Sequence, residues 1–410
     1  MLEQLKATRF PVETGFLLAL AFFLPLFEAP KNLLWLAYLA TWLVNRVRAR
    51  DFGGRWDGWD SLFAAWIASA VAAAAFAGLP HHEEWRSIGD VVRYVSILWT
   101  VRRARYSDRE MQWFLGMLVA STLVGLAYGY WRLLSGVGKS GTLQLHSVGH
   151  VNHTAIYIAI MLGVSASWAF ARWRDWPAGT RAAAAAINAL MVVSLFYTAS
   201  RGAIGIGLTL VLLLAIAWWP RWRAPLAVAA AAIVLAVGVA LIGQLDVVRK
   251  QQENEARDDV LSNRAGVWRM GLEGWRRFPA FGVGLDNYQF ITFDAIRSWR
   301  AERGESFDPS RYSHFPHGHN IFVTTAAERG AVGLAALLAV LAAWAWALAR
   351  GWPRRGGDDL EWLLWGAALS GWFVTVGVGM VNTTLHHEHA ILSVALFALW
   401  LSRTRAARAS

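Results

Sequence analysis

The chain has 410 residues, 56% of them hydrophobic, a formal net charge of +11 and no cysteine. A soluble domain of this length carries more charge and alternates polar with apolar residues, so the composition excludes an ordinary soluble fold. The lack of cysteine excludes a disulfide framework and thiol chemistry.

Long apolar stretches recur along the chain, and a helix needs roughly 20 apolar residues to cross the hydrocarbon core. In chain order the predicted spans cover residues 14–29, 32–48, 60–79, 86–101, 111–134, 152–172, 183–199, 203–219, 224–244, 320–349, 361–381 and 388–402. The predicted fold class is an all-α polytopic membrane protein of about twelve transmembrane helices. The fourth span is the least apolar, with Arg86, Asp90 and Arg93 near its start. The apolar run from Gly15 to Phe27 lacks a small-residue cleavage site and reads as the first span rather than a cleavable signal. Tryptophans near the segment ends, among them Trp35, Trp113, Trp131, Trp218, Trp219 and Trp362, suit the headgroup region.

A net charge of +11 suits nucleic acid, but the cations alternate along the chain as membrane topology requires. Placing the N-terminus inside puts Arg46, Arg48, Arg50 and Arg55, then Arg102, Arg103, Arg105 and Arg109, then Arg172, Arg174 and Arg181 in internal loops. Arg221 and Arg223, then Arg350, Arg354 and Arg355, and a tail with Arg403, Arg405 and Arg408 continue the series. The intervening loops hold mainly Lys31, Arg86, Lys139 and Arg201. This pattern predicts a multi-pass bacterial inner-membrane protein with both termini cytoplasmic, membrane lipids as surroundings and no nucleic-acid partner.

The expected divisions are 1–243 for the first nine spans, 244–318 for an external (periplasmic) loop subdomain, and 319–410 for the last three spans and tail. Long connections are usually functional. This one has a helix signal: Ser262 or Asn263 as cap, then Arg264, Trp268, Gly271 and Trp275 on one face, with Pro279 ending the helix at Phe278. The simplest reading is an amphipathic helix on the membrane surface. Gly282 and Gly284 then reverse the chain.

Three external features carry candidate chemistry: His317-Gly318-His319-Asn320 at the mouth of the tenth span, with Glu328 and Gly330 beyond it; Ser200-Arg201-Gly202 between the seventh and eighth spans; and Arg264 on the loop helix. An arginine between apolar spans is costly without a partner. For Arg201 that partner is either a carboxylate or carbonyl set or an anionic ligand, whose phosphate oxygens match a guanidinium fork. For the loop arginines the default is solvent or headgroups, since 11 Lys/Arg are balanced by 11 Asp/Glu over 244–318. Histidine exchanges protons near neutral pH, although a histidine at a helix mouth is commonly structural. His314, His317 and His319, or His386, His387 and His389 with Glu388, have zinc-compatible spacing, but the sets are loose and lack cysteine. No cofactor and no metal is therefore expected.

Together these features resemble the O-antigen ligase and polymerase superfamily. The pattern runs from Ser200-Arg201-Gly202 through Arg264 and Trp268, Phe278-Pro279, Gly282-Val283-Gly284 and Asn287 to His319-Asn320, Glu328 and Gly330, and is dense from about Thr198 to Gly333. The resemblance implies transfer of a glycan from undecaprenyl diphosphate at the outer face of the inner membrane. One long external loop before the histidine helix is most like the ligase branch, whose acceptor is a sugar hydroxyl of the lipid A–core. Polymerases usually show two comparable loops, and the protein O-oligosaccharyltransferases tend to have an added C-terminal region. On the resemblance, His319 is the catalytic base, Arg201 and Arg264 hold the diphosphate, and Lys31, Arg86 and His317 assist in substrate binding. Asn320 and Glu328 support the histidine helix. A single metal-independent displacement with inversion is implied. A flippase or transporter of lipid-linked glycans is the competing class, against which stand the long external loop and the lack of an internal repeat.

Overall fold

The structure is a computed structural model that describes residues 2–137, 142–148, 150–219, 264–353 and 357–409. The predicted ninth span, the first part of the long loop with Ser262 and Asn263, and Lys139, Arg221, Arg223, Arg354 and Arg355 lie outside the described residues. Among the described residues there are helices and no strand. They are α1 (Leu2–Lys6), α2 (Pro11–Phe23), α3 (Glu28–Ala49), α4 (Gly58–Ala75), α5 (Glu83–Arg103), α6 (Asp108–Leu134), α7 (Val151–Arg172), α8 (Ala178–Tyr197), α9 (Arg201–Trp218), α10 (Arg264–Arg277), α11 (Phe293–Glu302), α12 (Ile321–Arg350), α13 (Asp359–Gly379) and α14 (His387–Ala409).

Seven of these, α4, α6, α7, α8, α9, α12 and α13, are long and apolar enough to cross a membrane. The chain is a polytopic helical protein. Four elements read as spans from the sequence fall short of that standard for physical reasons. The helix α2 has only 13 residues. The helices α3, α5 and α14 have the length but carry charges, such as Arg46, Asp90 and Arg403. Of its best 18-residue window, α7 has 89% buried, and α13 has 72%, while α8 and α9 have about a third. A helix apolar on all sides and buried on all sides is the centre of the bundle. Ser167 and Ser370 lie so close to Gly366 and Gly163 that a Cβ on either glycine would meet a hydroxyl at 2.3 or 2.2 Å. Small residues thus let α7 and α13 pack backbone to backbone.

The arginine-rich helix ends gather at one end of the bundle. Arg102 and Arg103 at the end of α5 bind Asp60 at the start of α4. Arg403 in the last turns of α14 binds Asp108, the first residue of α6, and Asp358 ahead of α13. Arg172 at the end of α7 reaches Asp359. Asp57 and Ser107 close reciprocal capping boxes on α4 and α6 at the same end. The start of α12, the start of α9 and the end of α13 therefore lie at the opposite end, as the alternation in the sequence requires.

At that opposite end α12 is broken. Gly330 sits at φ 60°, ψ −163° inside it, a conformation open essentially to glycine alone. A break inside a bundle frees backbone groups, each costly when unpaired in an apolar setting. Here the loop segment after α10 pairs them. The carbonyls of Ala327 and Glu328 accept from the amides of Val283 and Gly284 at 2.8 and 3.0 Å. The amides of Ala331 and Val332 donate to the carbonyls of Pro279 and Ala280 at 2.8 and 3.1 Å. The same strip accepts the amides of Gly78 and Leu79, just past α4, at its Gly282 and Val283 carbonyls. Contact this close needs bare backbone: a Cβ on Gly282 would lie 2.4 Å from the Glu328 carbonyl carbon, and one on Gly330 would lie 2.3 Å from Ala280.

The loop is itself packed. Val267, Met270, Tyr288, Ile291, Ile296 and Trp299 form its own apolar core. Glu273 is clasped by Arg300 at 2.7 Å and by Arg303 and the Tyr312 hydroxyl, which ties α10 to α11. The predicted loop helix is present, but its inner face differs from the expected one. Val267, Met270, Gly271 and Gly274 are buried, and Gly271 backs onto Val323 and Tyr288. Protein, rather than a membrane surface, covers the apolar side of α10.

Two outcomes follow. Gly330→Ala places a Cβ against the Ala280 backbone at a positive φ, whereas Gly304→Ala has a positive φ and open space. The first is expected to lower thermal stability in detergent by at least about 3 kcal/mol and the second by about 1 kcal/mol; equal melting points would contradict the threaded loop. Reporters fused after Arg300 and after Arg350 are expected on opposite sides of the membrane, and the same side for both would overturn the bundle's polarity.

Candidate active site at the break in α12

The strip that fills the break also aims the residues ahead of α12. Asn320 caps the helix, its Oδ1 accepting from the amides of Phe322 and Val323 at 2.9 and 3.0 Å. Its Nδ2 donates to the Met380 carbonyl at 2.8 Å, so the cap also fixes the turn after α13. The next residues of that turn meet the other candidates. Val381 lies against Gly202, where a Cβ would be 2.9 Å from its methyl carbon. The Asn382 Oδ1 accepts from the Thr383 amide at 2.9 Å and faces His319 Nδ1 at 3.5 Å. In the tautomer protonated at Nδ1, His319 donates to that oxygen and Nε2 keeps its lone pair.

Arg264, at the start of α10, is close enough for its charge to act on the His319 ring. Burial first and this guanidinium next lower the His319 pKa from the ordinary 6.5, partly countered by Asn382. The shift favours the neutral ring, the state a base requires. Arg201 opens α9, where its charge adds to the positive end of the helix dipole and favours an anion. The turn after α13 thus brings Ser200-Arg201-Gly202, His319 and Asn320 to one place, and Arg264 joins them through His319.

Backbone strain concentrates at this end. Non-glycine residues with positive φ include Ala199, Asp286, His319, Leu385 and His387. Such conformations cost about 1–3 kcal/mol each and persist where surrounding structure holds them.

Beside His319 opens a cavity of about 270 Å³ between α4, α5, α12 and the 383–387 turn. His317 lines it, 4.4 Å ring to ring from His319, while Arg201, Arg264 and His319 are outside its lining. Asp90, Asp286 and Glu328 give its wall carboxyl groups. The backbone amides of Asp286 and Tyr288 face the Glu328 carboxyl group. Thr324 Oγ1, also at the cavity, is buried without a hydrogen-bond partner. Burial above all lowers the His317 pKa to about 4. Arg329 lines the same cavity, so its wall carries a guanidinium as well as carboxyl groups.

Several expected residues are placed differently. Lys31 is 1% exposed, with Nζ 2.8 Å from Glu28 and 2.5 Å from Glu388. It is a buried tie between α3 and α14, and its charge is already matched there. Arg86 is 86% exposed at the side chain, 3.8 Å from Glu83. His314 Nε2 is held at the Gln289 carbonyl, 2.9 Å away. Glu388, weighed with the neighbouring histidines as a metal ligand, faces Lys31 and Ser147 instead.

Other residues were not singled out in the sequence. His153 comes to His386 and His387 from the first turn of α7, and the three offer ring nitrogens within 4.8 Å of one another. The signal was available as two histidines, His150 and His153, at the mouth of a highly apolar segment. Asn382 and Asp286 gave no such signal, since polar residues in turns are common. Asn287, quoted only as part of the motif, is fully buried and donates to Leu79, Glu84 and Val283, anchoring the strip to the start of α5.

No curated protein matches the chain. Residues 186–338 match the model of the family Wzy_C, described as O-antigen ligase. That interval runs from within α8 through the long loop and past the break in α12, and so contains Arg201, Arg264 and His319. Over that interval the chain is similar to the O-antigen ligase family.

Proposed function

We propose that this protein transfers a glycan from undecaprenyl diphosphate to a sugar hydroxyl of the lipid A–core at the periplasmic face of the inner membrane. One observation carries the reading: a half-buried histidine, its Nδ1 facing Asn382, stands beside Arg264 at a turn that also touches the Arg201 junction. The acceptor hydroxyl loses its proton to His319 Nε2 as its oxygen attacks the anomeric carbon. The bond from that carbon to the diphosphate oxygen breaks, and its electron pair leaves with undecaprenyl diphosphate. Arg201 and Arg264 stabilise the charge that grows there. The imidazolium then releases its proton to water. Attack opposite the leaving group inverts the anomeric centre, and no step calls for a metal ion.

The cavity lined by Asp90, Asp286 and Glu328 suits the acceptor. Carboxyl oxygens of Asp90, Asp286 and Glu328 accept hydrogen bonds from sugar hydroxyls, and Arg329 in the same lining donates to them. Polymerisation of the glycan, or transfer to protein, uses the same chemistry with another acceptor. A flippase reading is tested by product formation from purified protein without an ion gradient.

His319→Ala is expected to lower transfer by about 10²–10⁴-fold with donor binding retained, and His317→Ala to lower it less. A dead His317→Ala beside an active His319→Ala would reverse the assignment. Since the base acts unprotonated and its pKa is lowered, the acid limb of the pH profile is expected below pH 6.5; an acid limb above that value would contradict the neutral-histidine assignment. Arg201→Lys and Arg264→Lys should each recover only part of the activity lost in the alanine variants, because lysine lacks the bidentate fork. Full recovery by lysine would show that charge alone suffices.

A further inference from the structure

We propose that His153, His386 and His387 form a binding site for a late first-row divalent metal ion of the zinc class, separate from the transfer chemistry. Their ring nitrogens lie within 4.8 Å of one another. A tetrahedral zinc ion with Zn–N bonds of about 2.0–2.1 Å sets its nitrogens roughly 3.3 Å apart, a closure within the reach of side-chain rotation. The rings already converge: His153 is 5.0 Å from His387 and 6.0 Å from His386, centroid to centroid, and His386 is 3.8 Å from His387.

A second, independent observation lies behind them. His389 is 1% exposed, its ring is 5.3 Å from that of His153, and neither of its ring nitrogens has a hydrogen-bond partner. Four imidazoles pack together, and the lone pair of the buried His389 is not satisfied by the surrounding protein. A cation is the species that satisfies several lone pairs at once.

The donor set selects the metal class. Three imidazoles and no thiolate favour zinc, copper, nickel or cobalt over magnesium and calcium, which need oxygen ligands. Asp90 and Asp286 are the acidic groups whose charge reaches His386, and they offset part of the cation's charge from outside the ligand set. The position also gives the ion a task. His153 belongs to the central helix α7, while His386 and His387 belong to the turn ahead of α14, where Leu385 and His387 hold positive φ. A bound ion ties that turn to the bundle centre and sets one wall of the cavity.

The test uses the full chain in detergent, purified on a tag without histidine, stripped with chelator and titrated with cobalt(II). About one cobalt per chain with the strong visible absorption of a four-coordinate nitrogen site is expected. Zinc should displace it and raise the melting temperature. His387→Ala, which alters the exposed ligand, and His386→Gln should each weaken uptake at least about tenfold, while His317→Ala leaves it unchanged. Wild-type uptake far below one equivalent, or equal uptake in wild type and both ligand variants, would overturn the site. Metal content is read without glycan transfer, so the outcome is independent of whether the proposed transferase reading holds.

Discussion

A helix interrupted inside an apolar bundle leaves amides and carbonyls that must find partners, and this constraint organises the functional end of the molecule. The break at Gly330 frees backbone groups, and the strip from Pro279 to Gly284 pairs four of them. Everything nearby inherits its position from that pairing. The strip carries α10, and hence Arg264, to the mouth of α12. Its other edge binds the chain past α4, and Asn287 locks it to α5. The glycines follow from the same cause, because a side chain at Gly282 or Gly330 would occupy the space of the partner backbone.

The two ends of the bundle use charge in opposite ways. At one end, arginines meet aspartates at helix starts, and the pairs close the bundle. At the other, His319, Arg264 and the Arg201 junction surround the Asn382 turn, and carboxyl groups line the cavity beyond His317. In the proposed reaction, charge stabilisation is needed where the leaving group departs and hydrogen-bonding groups where the hydroxyl arrives, and the two sides of His317 and His319 offer groups of both kinds.

How much of this was legible in the sequence depended on the range of the interaction. Apolar runs and alternating arginines report on single helices and their ends, so the helical class and the bundle's polarity could be read directly. The start of α12 was legible because Asn320 is a local cap. The break within it was not, since Gly330 in an apolar helix reads equally as a packing glycine; its φ is dictated by a strip about fifty residues earlier in the chain. Lys31 shows the converse limit. Its loop position suggested a solvent-facing cation, but Glu388, distant in sequence, draws it inside. His153 was missed for the same reason, as its partners His386 and His387 lie at the far end of the chain. The face of α10 was misassigned because its tryptophans are large and its glycines small, whereas close backbone packing against α12 selects the glycines.

The central claim is that the 279–284 strip is bound into the break of α12 rather than moving as a surface loop. Backbone hydrogen exchange resolved to single residues tests it directly. Val283, Gly284, Ala331 and Val332 are predicted to exchange as slowly as the middle of α7, while the amides of Ser306 and Asp308, in the exposed turn after α11, exchange rapidly. Exchange at Val283 and Gly284 as fast as in that turn would contradict the account, because the site would then have no fixed frame.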